Sequence, residues 1–216
     1  MAIESPKIPT TLREVNDFYS FSRPYIEDED IVSEVEVISD HQSDESFYRL
    51  EVQNSVFNNC IFHNCDFGKA SFYDVVFTNC DLSNSKFNDA YFSRCQFINC
   101  KCVGVNLSES IMKHISIQGS NYTFSTFDLS KLSDFSVEET DLTDVSMAEM
   151  TLVRFKTSKS KFIKNNFFKT KLKGVDFTDS DFVAPTISSP PTELKGAKIN
   201  TIQAADLIRL WGVKVE

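Results

Sequence analysis

From Phe47 to Phe182 the large apolar residues of this chain recur at every fifth position. The series reads Phe47, Val52, Phe57, Phe62, Phe67, Phe72, Phe77, Leu82, Phe87, Phe92, Phe97, Cys102, Leu107 and Met112. It continues Ile117, Tyr122, Phe127, Leu132, Val137, Leu142, Met147, Leu152, Thr157, Phe162, Phe167, Leu172, Phe177 and Phe182. Thr157 is its one member that is not apolar, and 14 of the 20 phenylalanines fall in it. A strict period of five matches neither a helix of 3.6 residues per turn nor the two-residue alternation of a strand.

A second phase lies two residues earlier and holds small side chains: Ser55, Cys60, Cys65, Ala70, Val75, Cys80, Ser85 and Ala90, for example. The positions between are polar. Asn54, Asn59, Asn64, Asn79, Asn84 and Asn99 share one of them, and Asp66, Asp81, Asn106, Asp141 and Asp176 another. Two residues in five therefore point inward, one large and one small, because the interior is narrow. The chain must turn once in every five residues, always the same way. It has only six Gly with which to do so, although Gly is the usual source of positive φ in turns.

Segments such as Cys65-Asp66-Phe67-Gly68-Lys69 and Val175-Asp176-Phe177-Thr178-Asp179 resemble the pentapeptide-repeat family, over roughly residues 47–187. That resemblance implies an all-β fold: a right-handed, quadrilateral parallel β-helix with four pentapeptides to a 20-residue coil. Coils would stack at ~4.8 Å, and seven of them would span ~34 Å. The inward positions Phe57, Phe62, Phe67, Phe72, Phe77, Phe87, Phe92, Phe97, Phe127, Phe162, Phe167, Phe177 and Phe182 are the expected structural core.

A 20-residue coil places residues 20 apart on one face. On one such face the large position runs Phe57, Phe77, Phe97, Ile117, Val137, Thr157, Phe177, and the small position Ser55, Val75, Cys95, Ile115, Phe135, Phe155, Val175. Where the large member shrinks the small one grows, as close packing demands. Phe155 is expected to occupy the space that Thr157 leaves, and Thr157→Phe to overpack the coil.

The ends depart from the phase. Residues 1–34 read as an acidic arm or cap, 35–191 as the repeat, and 192–216 as a last coil and helix. Residues 1–46 carry three basic and 12 acidic side chains, densest at Glu27-Asp28-Glu29-Asp30. Ser189-Pro190-Pro191 stops the regular coils, since Pro removes ladder donors. One off-phase repeat with Leu194, Ala197 and Ile199 inward is expected after it. Asn200 to Gly212 reads as a helix, with Asn200 or Thr201 as N-cap and Gly212 just past the end. Its apolar face is wider than a lid needs. Leu207, Ile208, Leu210 and Trp211 are the expected contacts of a homodimer joined at this end. The tail from Gln203 to Val215 resembles that of quinolone-resistance (Qnr-type) pentapeptide proteins.

The net charge of −9 argues against direct DNA binding, which needs a positive surface. No apolar run is long enough for a membrane span, and the N-terminus lacks the pattern of a secretory signal, so a cytoplasmic location is expected. Cys60, Cys65, Cys80, Cys95, Cys100 and Cys102 all fall in inward phases. They read as buried, inert thiols and not as zinc ligands. His41, His63 and His114 have no patterned Ser, Cys or carboxylate partner, and no Gly-rich phosphate loop exists. No catalytic, metal or cofactor site is expected.

The Qnr-type resemblance implies a protein that binds DNA gyrase or topoisomerase IV as a DNA mimic and protects it from quinolones. Charge along the chain complicates that: residues 101–150 sum to −5 and 151–187 to +5, with seven lysines between Lys156 and Lys173. The unbroken phase also excludes projecting loops other than whole multiples of five. A scaffold for an unassigned protein partner, through outward residues such as Tyr91, Ile111, Phe124 and Phe168, is the alternative.

Overall fold

The computed structural model of the chain describes residues 3–210 and 212–215. Its elements, in chain order, begin with β1 (Arg13–Val15), α1 (Phe18–Glu27), β2 (Ile31–Ser33), β3 (Val35–Ile38) and β4 (His41–Ser43). Then follow β5 (Glu51–Asn58), β6 (Ile61–His63), β7 (Ser71–Thr78), β8 (Tyr91–Ile98), β9 (Ile111–Gln118), β10 (Lys131–Glu138), β11 (Thr151–Ser158), β12 (Lys161–Ile163), β13 (Asp181–Val183) and α2 (Thr201–Arg209). They wind into a right-handed parallel β-solenoid of about nine turns, with α2 at its C-terminal end.

The register is 20 residues: Glu51 pairs with Ser71, Tyr91 with Ile111, and Lys131 with Thr151. The corners answer the question raised by the scarcity of Gly. Every fifth residue from Glu29 to Lys169 has positive φ, and all but Gly104 and Gly119 carry a side chain there. The Asn phase of the sequence is this corner phase. Asn and Asp suit it because their short polar side chains tolerate the left-handed region best after Gly. Many corners are closed locally, and most are tied to the next coil. At Arg49, for example, the Leu50 N–H donates to the Phe47 carbonyl (3.0 Å), and the Arg49 N–H donates to that of Gly68 (3.0 Å). These bonds offset a backbone strain of about 1–2 kcal/mol per non-Gly corner.

Inside, the large phase forms continuous stacks. Phe47, Phe67 and Phe87 lie 4.7 and 4.8 Å apart, and Phe57, Phe77 and Phe97 5.0 and 5.0 Å apart. These ring spacings follow the strand spacing, so backbone pairing and aromatic packing reinforce each other.

The N-terminal residues close one end. Asp17 caps α1 by accepting from the Ser20 N–H (3.0 Å). Phe18, fully buried, enters the mouth of the solenoid and lies 5.6 Å from Phe47 and 5.0 Å from Phe57. The buried Asp40 accepts from the Phe18 N–H (3.0 Å) and so holds the helix start in place. The residues before β1 run back along the corners: the Lys7 N–H donates to Asp74 (2.9 Å), and the Glu4 N–H to His114 (3.3 Å).

At the other end Pro190 and Pro191 insert two residues, and the last coil pairs at an offset of 22, Asp176 with Lys198. Leu194, Ala197 and Ile199 pack against the core as partly buried residues. Asn200 caps α2 through a capping box with Gln203. The Gln203 amide also donates to the carbonyls of Phe177 (2.9 Å) and Ser180 (2.6 Å), satisfying the end of the ladder. The helix stops at Arg209, earlier than the Gly212 boundary expected.

One junction breaks the regularity. N–H groups one coil apart donate down the whole rod, from Ser39 to Asn58, Asn59 to Thr78, Asn79 to Ile98, Asn99 to Gln118, Gly119 to Glu138 and Glu139 to Ser158. The next bond, from Lys159 to Thr178, is missing, and so is the bond from Lys171 to Met150 that would continue the neighbouring series. Among the described residues strand β11 pairs only with β10. The face between residues 151–159 and 171–179 is split, while the adjoining face stays closed through β12 and β13. Thr157 lines the split and is only half-buried. Phe155 points inward as expected, but it does not fill the space beside Thr157.

Candidate interaction surfaces

The 13 expected core phenylalanines, Phe57 to Phe182, are all buried. The thiols share that interior and have a structural task. Cys60, Cys80 and Cys100 donate to the carbonyls of Val37, Phe57 and Phe77 at 3.4, 3.3 and 3.5 Å. Ser85 and Thr170 make the same bond, to Phe62 (2.7 Å) and Met147 (2.6 Å). Burial pushes the Cys95 thiol up to about 12, so it stays protonated and unreactive. Among the described residues no cluster of His, Cys, Asp and Glu is placed to hold a metal ion.

The outer surface is organised by ion pairs between successive coils. Arg94 grips Asp74 with two bonds (2.7 and 2.6 Å), and Arg154 grips Asp134 likewise (2.6 and 2.6 Å). Lys101 reaches Asp81 (3.0 Å), Lys159 Glu139 (3.1 Å), Lys161 Asp141 (3.0 Å) and Lys169 Glu149 (3.4 Å). In every case the acid lies one coil before the base. Four of these pairs join the acidic segment 101–150 to the basic segment 151–187 across their boundary. Burial would raise the Asp81 carboxyl, but Ser83, His63 and Lys101 outweigh it and hold the group far below the usual carboxylate range.

Acid without such partners is densest at the N-terminal end, although Glu109, Asp128, Glu138 and Asp144 of the middle coils also make no ion pair among the described residues. Asp28, Glu29, Asp30, Glu34 and Glu45 make no ion pair among the described residues. Glu29, Asp30 and Glu51 line a 570 Å³ cleft between α1 and the first coils, together with Tyr48, Arg49 and Lys69.

The C-terminal end is apolar. Leu207 is turned onto the last coil and buried, so it packs within its own chain. Ile208 and Leu210 are about half exposed, at 45% and 48%. Trp211 lies outside the described residues. Ile202, Val213 and Val215 are exposed as well. Of the outward apolar residues, Tyr91 is covered by Tyr73 (5.2 Å) and Lys113, and Ile111 is half-buried; Phe124 and Phe168 are exposed.

Residues 50–127, which carry the five-residue phase, the 20-residue register and the left-handed corners, match the model of the pentapeptide repeat region. This stretch is a pentapeptide-repeat region. No curated protein matches its sequence. Among solved structures it is similar to a trypsin-treated form of QnrB1, a plasmid-mediated fluoroquinolone resistance protein, at 17% identity and a TM-score of 0.47. That match covers 84% of this chain and 100% of the other. It is also similar to HetL of the cyanobacterium Nostoc sp. strain PCC 7120, a pentapeptide repeat protein involved in heterocyst differentiation regulation. Identity there is 10% and the TM-score 0.39, covering 78% of this chain and 86% of HetL.

Proposed function

We propose that this chain is a non-enzymatic protein-interaction rod whose partner presents a basic surface to its N-terminal coils. The observation that carries this is where free acid is most concentrated. In the middle coils Asp74, Asp81, Asp134, Glu139, Asp141 and Glu149 are each matched by a base. At the N-terminal end the acidic run beside α1 is unmatched and exposed. Such a patch steers a basic partner and gives orientation more than raw affinity.

DNA gyrase or topoisomerase IV is the specific partner that the Qnr-like tail and the net charge of −9 support. In that reading the rod occupies the enzyme's DNA-binding surface and protects it from quinolones. The inter-coil ion pairs favour the second reading, a scaffold for a basic protein without DNA mimicry. A duplex carries charge along its whole length, whereas here six of the acids in the middle coils are paired with bases. Two copies would join through Ile208 and Leu210 of α2, giving a homodimer with its acidic ends outward.

The test is supercoiling by gyrase with quinolone present, across a titration of the protein and of a D28N/E29Q/D30N variant. Relief by the native protein at micromolar concentration, lost in the variant, is the result expected of topoisomerase binding. No relief would remove that partner. Ile208→Glu with Leu210→Glu is expected to halve the mass measured by sedimentation; an unchanged mass would rule out this dimer contact.

A further inference from the structure

The split beside β11 is a feature that none of the surfaces above uses. The core changes abruptly at the same place. On this face the small–large pair changes from Cys95–Phe97 through Ile115–Ile117 to Phe135–Val137 and Phe155–Thr157, and then reverts at once to Val175–Phe177. Phe155 and Phe177 bring their bulk to different places on adjacent strands, and the two backbones do not close over them. The ring spacing already widens here, to 5.7 Å between Phe135 and Phe155. The adjacent coils remain pinned at each end of the split: the Met150 N–H donates to Thr170 (2.8 Å) and the Ser160 N–H to Ser180 (3.2 Å).

An open strand edge is thereby held inside a rod whose other coils are paired. Two clefts lie along it. One, of 510 Å³, is lined by Leu152, Lys169 and Lys171 with Glu149. The other, of 390 Å³, is lined by Phe155, Lys156 and Thr157 with Asp176 and Asp179. Glu149 already engages Lys169, and Asp176 engages Lys198 at 3.4 Å. Lys156, Lys171 and Lys173 are exposed and make no ion pair among the described residues.

We propose that the free edge of β11 binds an extended acidic peptide segment of a partner protein by strand addition. The unpaired backbone groups call for a partner that offers alternating N–H and C=O groups, which a peptide has and a nucleic acid lacks. The partly exposed Leu152 and Thr157 would receive alternate small apolar side chains. The three free lysines select acidic residues on the other side of the strand. This site is at the opposite end of the rod from the acidic patch and does not depend on it.

Amide hydrogen exchange and peptide titration test this together. In the free protein the N–H groups of Leu152, Thr157 and Lys159 are expected to exchange at least about 100-fold faster than those of Leu132, Val137 and Glu139, their equivalents one coil earlier. An acetylated decapeptide of alternating Glu and Val should slow them, and its Lys–Val counterpart should not. K156E/K171E, both on the surface, should weaken Glu–Val binding at least tenfold without shifting the melting temperature. F155I/T157I, which restores a graded core, should close the edge and abolish binding. Equal protection of the two strands in the free protein, equal binding of the Lys–Val peptide, or preferential binding of a 12-base-pair duplex at these lysines would each overturn the proposal.

Discussion

The two halves of one face carry out the same exchange of core volume in opposite directions. Between β8 and β10 the bulk moves from the large position to the small one in single steps, with Ile115 and Ile117 as an intermediate pair, and every backbone pair survives. Between β11 and residues 171–178 it moves back in one step, and the pairing is lost. Close packing within each coil is therefore not enough. Neighbouring coils must also place their bulk at matching points, because stacked strands share side-chain layers at ~4.8 Å.

The largest expected difference between the two regions is the cost of a cavity. Phe135 is enclosed by paired strands, and Phe135→Ala is expected to lose about 3–5 kcal/mol in denaturant unfolding. Phe155→Ala, beside an open cleft that can collapse, should lose distinctly less. Equal losses would mean that the split does not relax the core.

A direct test moves the split. F155V/T157F gives the coil of β11 the pair found at Val175–Phe177, so the abrupt step now falls between β10 and β11. Exchange protection is expected to be gained at Leu152 and Thr157 and lost at Leu132 and Val137, by about thirtyfold, or about 2 kcal/mol of opening free energy. Protection that rises at both strands would refute the step as the cause. The overpacking first expected for Thr157→Phe alone should be mild, since a cleft adjoins it.

Beyond the split, Glu193 repairs one missing ladder position. Its buried carboxylate accepts from the N–H groups of Lys169 (2.8 Å) and Ser188 (3.2 Å) and from the Ser188 hydroxyl (2.5 Å). Burial would raise this group, but those donors, led by the Ser188 hydroxyl, hold it below its ordinary value. Being depressed in the folded state, it contributes stability above its unfolded pKa of about 4.3 and loses it as the pH falls through the folded value. Glu193→Gln should cost about 1–2 kcal/mol near neutrality, and the difference from the native protein should shrink below about pH 4. A constant difference across pH 3–7 would exclude the charged form as the stabilising species.

The smallest effect concerns the intact coils. Phe124 and Leu129 occupy left-handed corners, at φ 61° and 62°, with exposed apolar side chains. Phe124→Asn or Leu129→Asn should each stabilise by about 0.5–1 kcal/mol, read as a rise in the denaturation midpoint. A loss instead would show that these side chains are held by contacts on the corner face.

Much of the fold was legible in the chain because each five-residue unit repeats one local decision. Phe67 or Phe177 points inward, a small residue precedes it, and Asn or Asp tolerates the corner, whatever the neighbours are. The Asn phase could have been read as the corner phase, since Asn is the commonest side chain after Gly at positive φ. The seal at the start had a weaker signal: Asp17 and Ser20 outline a helix cap, but nothing local shows that Phe18 plugs the mouth of the solenoid. Nor does spacing reveal that Leu207 turns inward while Ile208 stays out.

Sequence alone determined the period, the direction of each side chain and the volume within each coil, since these depend on residues two to five apart. Tertiary structure decided where adjacent coils fail to fit, which charges are already matched, and which apolar side chains remain free. Those depend on residues 20 or more apart that meet only when one coil is laid on the next. The abrupt return from Phe155–Thr157 to Val175–Phe177 stands in the sequence, but only stacking two strands makes it an open edge.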